Sequence, residues 1–187
     1  MSQRTIIFSL VAIIAAVYPF LIYFGLNKFG IQPLALLLLF VSGIRILLWQ
    51  QFKRAEKIIL VVLLTILCSF AIWLNSEALL RYYPVLMNLG FSAVFLLSLR
   101  TKQPLIERIM STMVKDLSIA ARDYLRGLTL AWGLLLLFNA MISFYTACCL
   151  SFRVWTIYNG FVVYIVFGVF TLIELIFRGF YKRRHPE

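Results

Sequence analysis

Six long apolar segments, separated by short polar ones, dominate the pattern of hydrophobic and polar positions along the chain. They cover residues 5–25, 33–49, 58–74, 84–99, 128–149 and 154–177. An α-helix needs roughly 17–25 predominantly apolar residues to cross the hydrocarbon core of a bilayer. The pattern therefore predicts an all-α fold, a polytopic membrane bundle of about six transmembrane helices. We expect it to form a single integral membrane domain over residues 1–187.

The distribution of basic residues between these segments predicts the orientation of the bundle. With the N-terminus in the cytoplasm, most of the 18 Lys and Arg residues lie on the cytoplasmic side. Only Lys28, Arg81 and Arg153 lie outside, and Arg45 lies within the second apolar segment. Cytoplasmic loops of membrane proteins carry an excess of Lys and Arg. We therefore expect a multi-pass protein with cytoplasmic N- and C-termini.

The amino-acid composition supports this class and argues against others. Hydrophobic residues make up 63% of the chain and charged residues 13%, whereas soluble domains are about half apolar and about a quarter charged. The net charge of +11 comes from short clusters at segment ends. Such clusters favour contact with the anionic headgroups of the inner leaflet over nucleic acid. We expect membrane lipids and other membrane or envelope proteins as partners, with homo-oligomerisation left open.

Residues that could carry out catalysis or bind a metal are scarce. The single histidine, His185, lies in the polar tail, and Cys68, Cys148 and Cys149 lie in apolar segments without C-x-x-C or Cys/His spacing. A nucleophile needs an adjacent base, and a structural zinc site needs several Cys or His ligands. We therefore expect no catalytic residue, no metal, no cofactor and no enzymatic activity.

The largest hydrophilic stretch, residues 100–127, is expected to be a cytoplasmic loop with an amphipathic helix. Apolar residues in 105–114 recur at i, i+1, i+4, i+5, i+8 and i+9, which places them on one helical face. This helix is expected either to lie on the inner leaflet as an interfacial helix or to pack on the mouth of the bundle. A second helix is expected to begin near Ser118. The candidate lipid or partner surface comprises Lys102, Leu105, Arg108, Ile109 and Met110.

Five polar side chains inside the apolar segments form a candidate intramembrane polar site: Arg45, Asn88, Asn139, Asn159 and Glu174. Arg45 and Glu174 lie at similar depth near the cytoplasmic ends of their segments, which allows a pair between helices. In the alternative, Arg45 extends to the boundary and Glu174 pairs with Arg178 one turn later. The three Asn residues are expected to hydrogen-bond between helices, with the lining of a substrate path as the alternative.

Several stretches resemble known bacterial membrane proteins. Residues 102–108 (KQPLIER), 128–132 (LTLAW) and 138–140 (FNA) resemble the K-P-L-I-x-R … L-N-L-A-W pattern of the intracellular septation protein A family. Here Gln103 separates the Lys–Pro step, and Thr129 replaces the Asn of the family pattern. Residues 81–88 (RYYPVLMN) are similar to uncharacterised inner-membrane proteins encoded beside fatty-acid-synthase-like genes for aryl-polyene pigments. Both resemblances imply a bacterial inner-membrane location.

The expected function follows from these resemblances and from the scarcity of catalytic groups. They imply a non-enzymatic role in cell-envelope maintenance or septation, or in membrane-linked lipid or polyene biosynthesis, and they supply no catalytic residue. The alternative is a small transporter or flippase for a lipid-like product, since three apolar segments lie on each side of the midpoint. A cavity lined by Arg45, Asn139 and Glu174 would favour transport, whereas a tightly packed bundle would favour assembly.

Overall fold

A computed structural model describes residues 20, 23–25, 29–48, 52–112, 114 and 116–184. For residues 45, 47, 48, 77 and 182–184 the description covers the main chain only. Every regular element in this part of the chain is helical. The elements are α1 (Ile31–Leu48), α2 (Arg54–Trp73), α3 (Glu77–Leu80), α4 (Tyr83–Ser98), α5 (Leu105–Met110), α6 (Ile119–Cys149), α7 (Phe152–Ile157) and α8 (Val163–Arg184). A π-helical turn, Tyr158–Val162, joins α7 to α8.

Four helical stretches are long and apolar enough to cross a membrane: Arg54–Trp73, Ala78–Ser98, Ile119–Cys149 and Phe152–Tyr181. The apolar part of α1, Ile31–Ile44, is shorter. These stretches correspond to the second to sixth predicted segments, so the predicted class of polytopic helical bundle is confirmed. The first predicted segment, 5–25, lies almost entirely outside the residues that the structure describes.

The two ends of the bundle differ in the chain segments that they carry. The end with residues 99–118 is called the loop end, and the end with residues 74–82 and 150–151 is called the turn end. Buried apolar side chains fill the bundle near each of them. Near the loop end these are Ile46, Phe52, Leu60, Val94 and Leu105, and near the turn end they include Leu80, Ala147 and Trp155.

The most extensive helix–helix contact in the described part is between α4 and α6. A Cβ atom on Gly133 of α6 would come within 2.6 Å of Leu96 Cδ2, and one on Gly90 of α4 within 2.5 Å of Leu60 Cδ2 on α2. The Ser92 hydroxyl also donates to the Gly133 carbonyl at 2.8 Å. Small residues allow helix backbones to approach closely inside a membrane. The two glycines thus hold α2, α4 and α6 as one packed unit.

The last span is the least buried of the four. Only 6% of its apolar window is buried, against 28–39% in the other three stretches. Its C-terminal part, α8, packs against α6 through aromatic rings. Trp132 of α6 contacts Phe167 and Phe170 of α8 at centroid distances of 5.9 and 4.9 Å. The α6–α8 interface is therefore built from large side chains, whereas the α4–α6 interface is built from close backbones.

Helix α6 begins at Ile119, earlier than the predicted fifth segment, which starts at residue 128. Ser118 caps it, because its hydroxyl oxygen accepts a hydrogen bond from the Ala121 amide at 3.3 Å. Such a cap satisfies one of the free amide groups in the first turn. The helix predicted to begin near Ser118 therefore runs without a break into the fifth span.

The helix predicted over residues 105–114 is shorter than expected, because α5 ends at Met110 and Val114 is not helical. The hydroxyl groups of Ser111 and Thr112 donate to carbonyl groups three residues back, at 3.0 and 2.7 Å. Such local bonds compete with the helical ladder and favour its termination. The apolar periodicity extends beyond Met110, but the hydrogen bonds of the Ser111 and Thr112 hydroxyls favour the end of the helix at Met110.

Helix α5 packs on the bundle. Leu105 is fully buried and Pro104 is among the most completely buried side chains. These contacts fit the alternative in which the helix packs on the mouth of the bundle. Leu105 is therefore not available for a lipid or partner surface, contrary to the prediction, because its side chain fills the apolar core near the loop end.

Candidate functional site

Asn139 and Asn159 meet in a polar cluster between α6 and the π-helical turn. Ser143 Oγ donates to Asn159 Oδ1 at 2.8 Å, and Asn159 Nδ2 donates to Thr146 Oγ1 at 3.4 Å. The Tyr158 hydroxyl donates to Asn139 Oδ1 at 2.8 Å. These five residues are called the amide cluster. All of them except Tyr158 are buried.

The local sequence explains how the cluster forms. Asn139, Ser143 and Thr146 are spaced at i, i+4 and i+7, so they share one face of α6. On the opposing side, the π-helical turn alters the ladder of i to i−4 hydrogen bonds. The Asn159 side chain supplies a donor there, because its Nδ2 also donates to the Trp155 carbonyl at 3.0 Å. The Asn159 amide thus donates hydrogen bonds both to its own helical segment and to α6.

The chemistry available to the amide cluster is hydrogen bonding without charge. Its members are amides and hydroxyls, with no carboxylate and no basic group. Asn139 Nδ2 is buried and has no hydrogen-bond partner among the described residues. The other polar groups bond to one another, which offsets the cost of burying them. The arrangement can hold α6 against the last span, but it offers no group to bind an ion by charge.

The remaining predicted members of the polar site lie elsewhere. Asn88 Nδ2 donates to the Pro84 carbonyl of its own helix at 2.7 Å. Glu174 lies fifteen residues after Asn159, which is about 22 Å along the helix axis at 1.5 Å per residue. Of the four members whose side chains the structure describes, Asn139 and Asn159 come together, whereas Asn88 and Glu174 lie apart from them.

Glu174 has two described partners at the loop end. The Tyr124 hydroxyl donates to Glu174 Oε1 at 3.0 Å, and Arg178 Nε lies 3.4 Å from the same oxygen. The alternative pairing of Glu174 with Arg178 one turn later is thus present. The Arg45 side chain lies outside the described residues, so its approach to Glu174 stays a prediction.

An ion pair that the sequence did not reveal fixes α5 to α2. Arg108 Nη2 lies 2.9 Å from Glu56 Oε1, and these side chains are 14% and 15% exposed. Glu56 Oε2 also accepts a hydrogen bond from the Lys53 amide at 2.7 Å. The spacing of Lys53 and Glu56 at a helix start indicates a capping interaction, but nothing in the sequence identifies Arg108 as the partner of Glu56.

Two further hydrogen bonds hold the same loop. Ser98 Oγ accepts from the Leu105 amide at 2.9 Å, and Arg126 Nη2 donates to the Leu99 carbonyl at 2.8 Å. Together with the Glu56–Arg108 pair, they form what we call the loop clamp. Lys102 is the exposed member of the predicted surface, whereas Arg108, Ile109 and Met110 are half-buried.

At the turn end, Arg81 closes the C-terminus of α6. Its Nη2 donates to the carbonyls of Leu150 at 3.1 Å and Thr146 at 3.4 Å. Its own carbonyl accepts from Trp155 Nε1 at 2.9 Å, and its guanidinium lies 5.3 Å from the centre of the Phe152 ring. A cation is favoured near the carbonyl end of a helix. The sequence placed Arg81 among the external charges and in the RYYPVLMN stretch, but it did not indicate this capping role.

A cavity of about 410 Å³ opens at the loop end, between the first turns of α6 and the last turns of α8. Its lining includes Met110, Leu117, Ala121, Tyr124, Arg178 and Tyr181. Neither Asn139 nor Glu174 lines this cavity. The amide cluster and the cavity are therefore separate features of the molecule.

This all-helical bundle, with polar groups paired between apolar helices, defines a polytopic helical membrane protein. The model of the family Intracellular septation protein A matches residues 7–185, and the chain belongs to this family. The resemblance in residues 102–140 is thereby confirmed. The four apolar stretches and the relatives described next, which are inner membrane-spanning proteins, support a multi-pass protein of the bacterial inner membrane.

Curated relatives match along most of the chain. The inner membrane-spanning protein YciB of Shigella flexneri serotype 5b is 24% identical over 174 residues, which covers 89% of this chain and 92% of the relative. The YciB protein of Escherichia coli O1:K1 has the same identity and coverage. The YciB protein of Buchnera aphidicola is 28% identical over 128 residues, or 66% of this chain and 70% of the relative. No solved structure matches the chain.

Proposed function

We propose that the protein is a non-enzymatic inner-membrane protein that supports cell-envelope maintenance or septation by binding other membrane or envelope proteins. The observation that carries this proposal is the buried amide cluster, in which most polar groups bond to one another and join α6 to the π-helical turn. The family description, with its reference to septation, supports the same role. In this proposal the bundle is a stable framework and the exposed surface of the loop end contacts the partner.

The main alternative is a transporter or flippase for a lipid-like product. A substrate path through the bundle needs polar groups that face an open space, whereas Asn139 is 2% and Asn159 is 5% exposed. Their hydrogen bonds join α6 directly to the π-helical turn. This geometry favours packing over transport. A role in lipid or polyene biosynthesis is a further alternative, and product analysis of a deletion strain would reveal it.

The experiment that separates a framework from a substrate path is Tyr158→Phe, which removes the hydroxyl that binds Asn139 and leaves the ring in place. We expect a small loss of stability, about 0.5–1.5 kcal/mol, because hydrogen bonds between membrane helices are individually weak. A deletion strain is expected to show altered cell length and increased sensitivity to osmotic and detergent stress. The variant should restore both properties when its abundance equals that of the wild type.

The matched control is Tyr145→Phe, at a position on α6 whose side chain is 56% exposed. It should behave as the wild type in stability and in complementation. If Tyr158→Phe abolishes complementation at wild-type abundance while Tyr145→Phe does not, the Tyr158 hydroxyl acts in function and the transport alternative is favoured. If deletion changes neither envelope property, the proposed role is wrong.

We also propose that both termini are cytoplasmic, because the basic residues are concentrated on one side of the predicted bundle. Reporter fusions after Asn75 and at Glu187 should then report opposite sides of the membrane. A fusion after Leu150 is the internal control, since it should agree with the fusion after Asn75. The same side for Asn75 and Glu187 would contradict this orientation.

A further inference from the structure

The cavity at the loop end combines an apolar interior with a basic residue. Met110, Leu117 and Leu125 supply apolar surface, and Arg178, with a side chain 36% exposed, lies among the lining residues. The volume of about 410 Å³ is within the usual range for small-molecule sites, roughly 300–1,000 Å³. A ligand that suits this lining has an apolar portion and a negative charge.

The charges around the cavity favour an anion. Among the described residues, the carboxylate paired with Arg178 is that of Glu174, which also accepts a hydrogen bond from the Tyr124 hydroxyl at 3.0 Å and is thereby partly compensated. Arg122, one turn into α6, adds a side chain that is 55% exposed and lies 3.9 Å from Glu107 Oε1, outside the cavity lining. The N-terminal end of α6 also carries a partial positive charge that favours anions. The chain as a whole has a net charge of +11.

The cavity lies at the ends of two apolar spans, where lipid headgroups are expected. Tyr124 on α6 and Tyr181 on α8 both line it, with ring centroids 4.9 Å apart. The Tyr181 hydroxyl donates to the Ala120 carbonyl at 3.1 Å, which ties α8 to the start of α6. Tyr residues are enriched at the boundary between hydrocarbon and water. We therefore expect a phosphate group of the adjoining leaflet at the same level.

We propose that this cavity binds one anionic phospholipid from the adjoining leaflet, with its phosphate at Arg178 and an acyl segment against Met110, Leu117 and Leu125. In this proposal the acyl chain enters from the bilayer between α6 and α8, whose interface is built from large side chains. This site goes beyond the proposed envelope role, and its failure would leave that role standing.

The test measures lipid binding to the full chain, purified and delipidated in a neutral detergent, by native mass spectrometry. The probes are dioleoyl phosphatidylglycerol, dioleoyl phosphatidylcholine and sodium phosphate. We expect one phosphatidylglycerol to bind saturably and roughly tenfold more tightly than phosphatidylcholine, because a charge-assisted hydrogen bond to Arg178 is strong only with a net anionic ligand. Sodium phosphate should bind far more weakly, since it lacks the acyl segment.

The proposal predicts that substitutions at Arg178 and Glu174 change the affinity for phosphatidylglycerol in opposite directions. Arg178→Gln should remove the preference for phosphatidylglycerol, and Arg178→Lys should retain part of it. Glu174→Gln should strengthen binding, because it frees the guanidinium from a competing carboxylate. A purely structural ion pair would give no strengthening. The matched control is Arg100→Gln, an exposed basic residue at the loop end that does not line the cavity.

The cavity itself is tested by Ala121→Phe, which places a ring among the lining residues and should abolish saturable binding. Ala121→Leu serves the same purpose with a smaller side chain if the first variant fails to fold. Unchanged binding after the cavity is filled would overturn the proposal. It would also be overturned if Arg100→Gln weakened binding as much as Arg178→Gln, since that result indicates general attraction of anionic lipid to the basic end. Equal binding of sodium phosphate would indicate a soluble anion instead.

Discussion

Replacing Arg108 with Ala is expected to lower the free energy of unfolding by about 2–3 kcal/mol and to release α5 from the bundle. The Arg108–Glu56 pair is 2.9 Å long with both side chains about one-seventh exposed. Removal of one partner leaves the other charge in a poorly hydrated place, which costs about 3–5 kcal/mol for a fully buried pair. The remaining bond from the Lys53 amide to Glu56 reduces the expected loss.

Unfolding in mixed micelles, titrated with a denaturing detergent, measures this change in stability, and hydrogen exchange of residues 105–110 reports on release of α5. Arg122→Ala is the matched control, because Arg122 is 55% exposed and lies 3.9 Å from Glu107. Glu107 itself is 6% exposed, but the separation is long and the exposed guanidinium is solvated by water, so this pair should contribute less than about 1 kcal/mol. In a double-mutant cycle with Glu56→Gln, the stability lost by the double variant should be well below the sum of the losses of the two single variants. Additive losses would mean that Arg108 and Glu56 do not stabilise each other.

Replacing Asn159 with Leu is expected to cost about 2 kcal/mol and to loosen the contact between α6 and the last span. The change removes the acceptor for Ser143 and the donor for Thr146 and the Trp155 carbonyl. Hydrogen bonds between membrane helices contribute roughly 0.6–2 kcal/mol each, and the groups left without partners remain buried. The same micelle titration measures the loss, and a crosslink between cysteines placed on α6 and α8 reports on the contact.

Asn88→Leu is the matched control for this substitution, since it removes an amide of the same size from another span. The Asn88 amide is partly buried and bonds only within its own helix in the described structure, to the Pro84 carbonyl. We expect Asn88→Leu to lower the free energy of unfolding by less than half as much as Asn159→Leu. Equal losses would show that the bonds between α6 and the π-helical turn add no stability beyond that of any half-buried amide.

Hydropathy predicted the spans well because a bilayer requires long apolar helices and allows few alternatives. The boundaries were harder to predict where polar residues continue a helix beyond the membrane. Helix α6 starts at Ile119, since the Ser118 cap and the following Arg and Asp residues extend it. Helix α5 ends at Met110, because the hydroxyl groups of Ser111 and Thr112 bond to carbonyl groups of its last turn. The apolar periodicity does not reveal this competition.

The candidate site was only partly predictable, because its contacts join distant parts of the chain. Asn139, Ser143 and Thr146 repeat with helical spacing, so this stripe was visible in the sequence. Its partner Asn159 was known as an intramembrane amide, but its direction depends on the π-helical turn, which hydropathy does not reveal. The Glu56–Arg108 pair spans 52 positions, and no local pattern links two such residues.

The π-helical turn at Tyr158–Val162 also sets the rotational phase of everything that follows it. Each residue of an α-helix advances the side chains by about 100°, so deletion of one residue in this turn would rotate α8 by that angle. Glu174, Arg178 and Tyr181 would then point away from Tyr124, although the hydropathy profile would hardly change. Two chains with the same apolar segments could thus present different faces of their last span to the surrounding lipid.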